Sequence, residues 1–111
     1  LVYDTPGWQI VETLRQLEIG VNRVINKDTF GYCFWDAITD LSYFRENDSI
    51  EVVGVCTDIC VISNVLTLKA FYPYTPIIVD ASCCAGTTPE MHQKALDVMK
   101  SCQIDIINEG K

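Results

Sequence analysis

Ile50-Glu51-Val52-Val53-Gly54-Val55-Cys56-Thr57-Asp58-Ile59-Cys60-Val61 is the stretch on which the reading of this chain turns. Its first six residues are an almost unbroken apolar run with Gly54 inside it, the pattern of a strand covered on both faces. Cys56 to Ile59 reads as a brief turn, and an apolar helix follows from about Cys60 to Phe71. The chain therefore passes from a buried strand straight into a helix. Thr57 or Asp58 can cap that helix, and on either choice Cys60 falls in its first turn. Unpaired backbone N–H groups and the helix dipole there favour a thiolate. The same N–H groups can hold an oxyanion forming on a carbonyl attacked by the sulfur.

Outward from this stretch the alternation repeats. On the N-terminal side, Thr5-Pro6 reads as a cap and a first helical residue. Trp8, Val11, Leu14 and Leu17 then make a helical apolar stripe that Gly20 ends. Residues 21–26 read as a short strand with Lys27 at its C-terminal end. Residues 28–33 read as a loop, residues 34–44 as a helix, and Asn47-Asp48-Ser49 is a turn signal. On the C-terminal side, Pro73 and Pro76 frame a connection into a buried strand at 77–80. Small residues make 81–87 a loop. Thr88-Pro89 repeats the cap-and-proline start of a helix, with Met91, Ala95, Val98 and Cys102 on one face, and 104–107 is the last strand. Such alternation predicts an α/β fold, a parallel sheet with helices on both faces and right-handed crossovers, as one domain over the whole chain. Ligands in such sheets bind beyond the carboxyl ends of the strands, here after Asn26, Val55, Asp80 and Ile107.

Composition narrows the function. Apolar residues make up 49% and charged residues 21% of the 111, as in an ordinary globular domain. The net charge of −7 and only eight scattered basic residues argue against nucleic acid as a partner, because a phosphate-binding surface needs clustered Lys and Arg. No apolar run approaches the roughly 20 residues of a membrane-spanning helix. Leu1 is neither an initiator Met nor the start of a signal pattern, so the expectation is that the native start lies elsewhere. Six cysteines, Cys33, Cys56, Cys60, Cys83, Cys84 and Cys102, allow a secreted disulfide scaffold. The periodic apolar sequence around them favours a cytoplasmic protein with reduced thiols instead. The spacing of Cys56 and Cys60, without a second pair or a His cluster, does not make a zinc site.

The residues from Gly54 to Val61 are similar to the signature Gly-Val-Ala-Thr-Asp-x-Cys-Val of the isochorismatase-like cysteine hydrolases, the superfamily that includes the nicotinamidases. The resemblance makes Cys60 the nucleophile. Val24-Ile25-Asn26-Lys27-Asp28-Thr29-Phe30 looks like the family segment that ends in a catalytic Lys, which places that role on Lys27. Thr5-Pro6-Gly7-Trp8, Asp80-Ala81 and His92 are weaker matches, so the resemblance runs over nearly the whole chain. It further implies a cis peptide between Val55 and Cys56, with the backbone N–H groups of Cys56 and Cys60 as the oxyanion hole. Phe30, Phe34 and Ile59 are expected to line the substrate pocket. His92 reads as a structural residue, and Cys33 and Cys102 as packing residues. Cys83-Cys84 could form a redox pair, but burial in a small-residue turn is the favoured reading.

Two departures stand out. Cys56 replaces the Ala of the signature, and no part of this chain matches the Asp-x-Gln-x-x-Phe motif that carries the family's catalytic Asp. The resemblance places that Asp, and the Asp and His ligands of a divalent metal such as zinc in true nicotinamidases, upstream of Leu1; this chain itself encodes no metal site or cofactor. It makes the fold a three-layer α/β/α domain of which this chain supplies only the last four strands. The missing strands would insert between the 21–26 and 50–55 strands, so an upstream segment or a second chain is expected to complete the sheet. The implied function is hydrolysis of a small-molecule C–N amide bond through a thioester, with nicotinamide the first choice. Alternatives are a carbamoyl, ureido or isochorismate-type substrate, or an inactive binding member of the family. A homo-oligomer is the expected assembly.

Overall fold

A computed structural model of the chain describes residues 25–33, 35 and 48–110. Strand β1 (Ile50–Val55) leads through a π-helical turn (Thr57–Val61) into helix α1 (Ile62–Phe71). Strand β2 (Ile77–Ala85), helix α2 (Pro89–Ser101) and strand β3 (Asp105–Ile107) complete the order. The described strands form a parallel sheet in the order β1-β2-β3. This is the α/β architecture that the alternation predicts. The helices expected over 5–18 and 34–44 lie outside the described residues except for Trp35. So does the strand expected over 21–26, of which only Ile25 and Asn26 are described, neither of them in a strand.

One core holds these elements together. Ile77, Val79 and Ala81 alternate along β2 onto one face, where they meet Val65 and Leu68 of α1 and Ala95, Leu96 and Met99 of α2. Both helices therefore pack on the same side of β2. β1 pairs only with β2 among the described residues, and Val53 and Val55 on it are 52% and 67% exposed there. A groove of about 480 Å³ runs along this strand, bounded by Trp35, Ile50, Val52 and Leu68.

Three expectations are corrected. The loop expected over 81–87 is strand as far as Ala85. Its small residues carry little strand propensity, yet they pair with β1 beyond an irregularity in the register. Val52 faces Val79 but Gly54 faces Cys84, so two steps along β1 match five along β2. The stripe on α2 is rotated: Met91, Val98 and Cys102 are exposed, and Ala95, Leu96 and Met99 are buried. The i, i+3, i+4, i+7 row through His92, Ala95, Leu96 and Met99 faces the sheet, and Thr88 caps the helix by accepting from the Met91 N–H at 3.1 Å. Finally, neither Thr57 nor Asp58 caps the helix after β1, because Thr57 bonds with His92 of α2 and Asp58 with Thr87 of the β2–α2 connection.

Candidate active site

The site is built at the carboxyl end of β1. The Val55–Cys56 peptide there is cis, and the Cys56 carbonyl accepts from the N–H groups of Ile59 and Val61, both at 3.1 Å. The turn is wider than an α-turn, and side chains one turn onward satisfy its carbonyls. Ser63 Oγ donates to the Ile59 carbonyl at 2.6 Å and Asn64 Nδ2 to the Cys60 carbonyl at 2.9 Å. Cys60 is a free, half-buried thiol. It lines a cavity of about 100 Å³ together with Gly54, Val55, Val61 and Asn64.

Helix α2 and the β2–α2 connection grip the other flank of the turn. Thr57 is completely buried, and its Oγ1 lies 2.7 Å from Nδ1 of His92. Asp58 accepts two hydrogen bonds from one residue, from the Thr87 N–H at 2.9 Å and the Thr87 hydroxyl at 2.6 Å. The Thr87 hydroxyl, then its N–H, hold the Asp58 carboxyl below the usual carboxylate range, with the nearby His92 adding to the effect. Gly86 is what lets this connection approach α2: a Cβ there would stand 2.8 Å from the His92 Cβ and 2.9 Å from its Cα and N. His92, expected as a structural residue, pairs here with the hydroxyl of Thr57. The signal for this pairing was a polar Thr in the buried signature, which needs a hydrogen-bond partner from elsewhere in the fold.

The remaining predicted residues fall in several places. Ile59 is half-buried in the turn itself, and Phe30 is exposed. Phe34 lies outside the described residues. Lys27 is exposed, and its ammonium donates to the Thr29 carbonyl of its own loop at 2.9 Å. The loop of Lys27 meets the Cys60 helix through Asn64, which accepts from the Tyr32 N–H at 2.8 Å. Cys33 and Cys102, expected as packing residues, are exposed. Cys83 and Cys84 lie in a strand and not in a turn, with Cys83 exposed, Cys84 half-buried and both thiols free. Successive strand residues point to opposite faces, which separates their sulfurs. Burial pushes the Cys84 thiol up, which disfavours it as a nucleophile. Among the described residues, no cluster of three His, Cys, Asp or Glu side chains could hold a metal ion, and no helix is long and apolar enough to cross a membrane.

The family model of the isochorismatase domain matches residues 1–109. The chain belongs to the isochorismatase family. Among solved structures it is similar to the nicotinamidase from Staphylococcus aureus, with 28% sequence identity and a TM-score of 0.62. That likeness covers 85% of this chain and 61% of the nicotinamidase, so the chain spans about three-fifths of the length of this relative. No curated protein matches the chain. Within the family fold, the turn after β1 is where the signature with Cys60 sits, at the sheet end where ligands bind in open α/β sheets.

Proposed function

We propose that this chain carries the nucleophile of a cysteine hydrolase that cleaves the C–N amide bond of a small molecule, with nicotinamide as the first substrate. The observation that supports this most is the place of Cys60, a free thiol in a turn that opens directly from the carboxyl end of β1, beside a small cavity. The thiolate attacks the amide carbonyl, and the electron pair of the C=O bond moves to oxygen. The N–H groups of Cys56 and Cys60 hold that oxyanion. Collapse of the tetrahedral intermediate breaks the C–N bond, and the nitrogen leaves as ammonia after taking a proton. Water then attacks the thioester and releases the carboxylic acid with the free thiol.

The base that takes the thiol proton in this scheme is an Asp outside the chain, carried by a segment or second chain that also completes the sheet beside β1. Lys27 pairs with that Asp and favours its charged form. A second reading, a binding member of the family without turnover, draws on the Lys27 ammonium, which bonds to its own loop. Ammonia release from nicotinamide by the full-length protein separates the two. The hydrolase reading expects release that Cys60→Ala abolishes. Release that survives Cys60→Ala would overturn it, and saturable binding of nicotinamide with no release would favour the second reading.

A further inference from the structure

Asn64, in the first turn of α1, is hydrogen-bonded through both polar atoms of its side chain, and the partners lie on two elements. Its Oδ1 accepts from the Tyr32 N–H at 2.8 Å, and its Nδ2 donates to the Phe30 carbonyl at 3.2 Å and to the Cys60 carbonyl at 2.9 Å. The network sets the orientation of the amide, because only its oxygen can accept the Tyr32 N–H. Gly31, between the two bonded loop residues, lies flush on α1: a Cβ there would be 3.3 Å from the Ser63 Cβ. A methyl group at that position would fit only if the Ser63 side chain gave way by a few tenths of an ångström.

The same loop carries Lys27. Its ammonium donates to the Thr29 carbonyl at 2.9 Å, and the Thr29 hydroxyl donates to the Gly31 carbonyl at 2.6 Å. A continuous set of short contacts thus runs from Lys27 through Thr29 and Gly31 to the segment that Asn64 holds. On the other side Asn64 bonds the carbonyl of Cys60 itself. We propose that Asn64 is a positioning residue that docks the Lys27 loop on α1 and on the Cys60 turn that leads into it, and so sets where the ammonium stands relative to the thiol. This rests on the assignment of Cys60 and Lys27 to one reaction. Asn64 touches no reacting atom; it acts through Lys27.

A double-substitution cycle of Asn64→Ala with Lys27→Met tests this in the full-length protein, read by kcat/KM on nicotinamide and by the rate of Cys60 alkylation with iodoacetamide. Asn64→Ala should slow both readouts roughly tenfold or more, as expected for a misplaced group. It should add little in the Lys27→Met background, where no ammonium is left to misplace. Hydrogen exchange at the Tyr32 amide should quicken in Asn64→Ala. Should that variant not fold, Asn64→Asp, which keeps the acceptor for Tyr32 and loses both donations, takes its place in the cycle. Losses that add across the cycle, or unchanged Tyr32 exchange, would overturn the proposal. If Lys27→Met changes neither readout, Asn64 has nothing to act through and the proposal falls. A wild type that leaves nicotinamide intact but gives a non-additive alkylation cycle would remove the substrate and keep the role of Asn64. Additive alkylation with normal turnover would do the reverse.

Discussion

On the α2 side the Cys60 turn is held by the completely buried Thr57 against the half-buried His92, and by two exposed hydrogen bonds from Thr87 to Asp58. On the side of residues 27–32 it is met by the carboxamide of Asn64 and a loop that is exposed from Lys27 to Phe30 and half-buried at Gly31 and Tyr32. The difference lies in what water can replace. The buried Thr57 hydroxyl, if it loses its partner, has no solvent to turn to, whereas the exposed bonds of Lys27, Thr29 and the Phe30 carbonyl exchange readily for water. The α2 side therefore sets the shape of the turn and ties it to fold stability. The loop side sets the position of Lys27 at little cost to the fold, so a substitution there should change chemistry and leave melting nearly untouched.

The first and most decisive test asks whether the turn is a reactive centre at all. At pH 7 iodoacetamide should label half-buried Cys60 roughly tenfold faster than the exposed Cys33, Cys83 and Cys102, the reverse of the order that exposure alone would give. Peptide mapping by mass spectrometry reads this directly, and faster labelling at Cys33 or Cys102 would break the assignment. Next comes Lys27→Met, which keeps the stem and removes the ammonium. It should lower kcat/KM on nicotinamide about 10²-fold and shift stability by no more than about 0.5 kcal/mol. An unchanged rate would reduce Lys27 to a loop charge.

Thr57→Val sharpens the contrast from the other side. It conserves shape but leaves His92 Nδ1 without its partner, and should destabilise the fold by about 1–3 kcal/mol. Denaturant unfolding checks it, and a change as small as that of Lys27→Met would erase the distinction between the two flanks. The smallest effect is a pH dependence. The hydrogen bonds from Thr87 depress the Asp58 pKa in the folded state, so this stability is present above the ordinary carboxylate range. It should be lost as pH falls through the lower, folded value. Unfolding curves of Asp58→Asn should show a shallower loss of stability on acidification than wild type; curves of equal slope would mean that the Asp58–Thr87 pair contributes nothing measurable.

The alternation of apolar strand and helical stripe was enough to predict the parallel sheet. The cap-and-proline pair at Thr88-Pro89 was enough to start α2 correctly, because local chemistry decides a helix N-terminus. The position of Cys60 was legible for the same reason: an apolar strand that runs without a spacer into a helix puts the intervening residues at the sheet's carboxyl end. Other features were illegible because they depend on partners far along the chain. Ala81 to Ala85 look like a loop until β1 offers an edge across a shifted register. Thr57 and Asp58 look like caps until Thr87 and His92, about thirty residues on, take their side chains.

What the sequence by itself determined is the order of the described elements and the place of Cys60 between two of them, since these follow from periodicity and from the turn chemistry of adjacent residues. Only the tertiary structure decided how that turn is held. The Thr57–His92 contact, the pairing of Asp58 with Thr87 and the bridge from Asn64 to the Lys27 loop each join residues 29 to 35 positions apart. Hydrogen bonds across such separations are set by where the packed elements bring their side chains, and no local pattern in the chain encodes that distance.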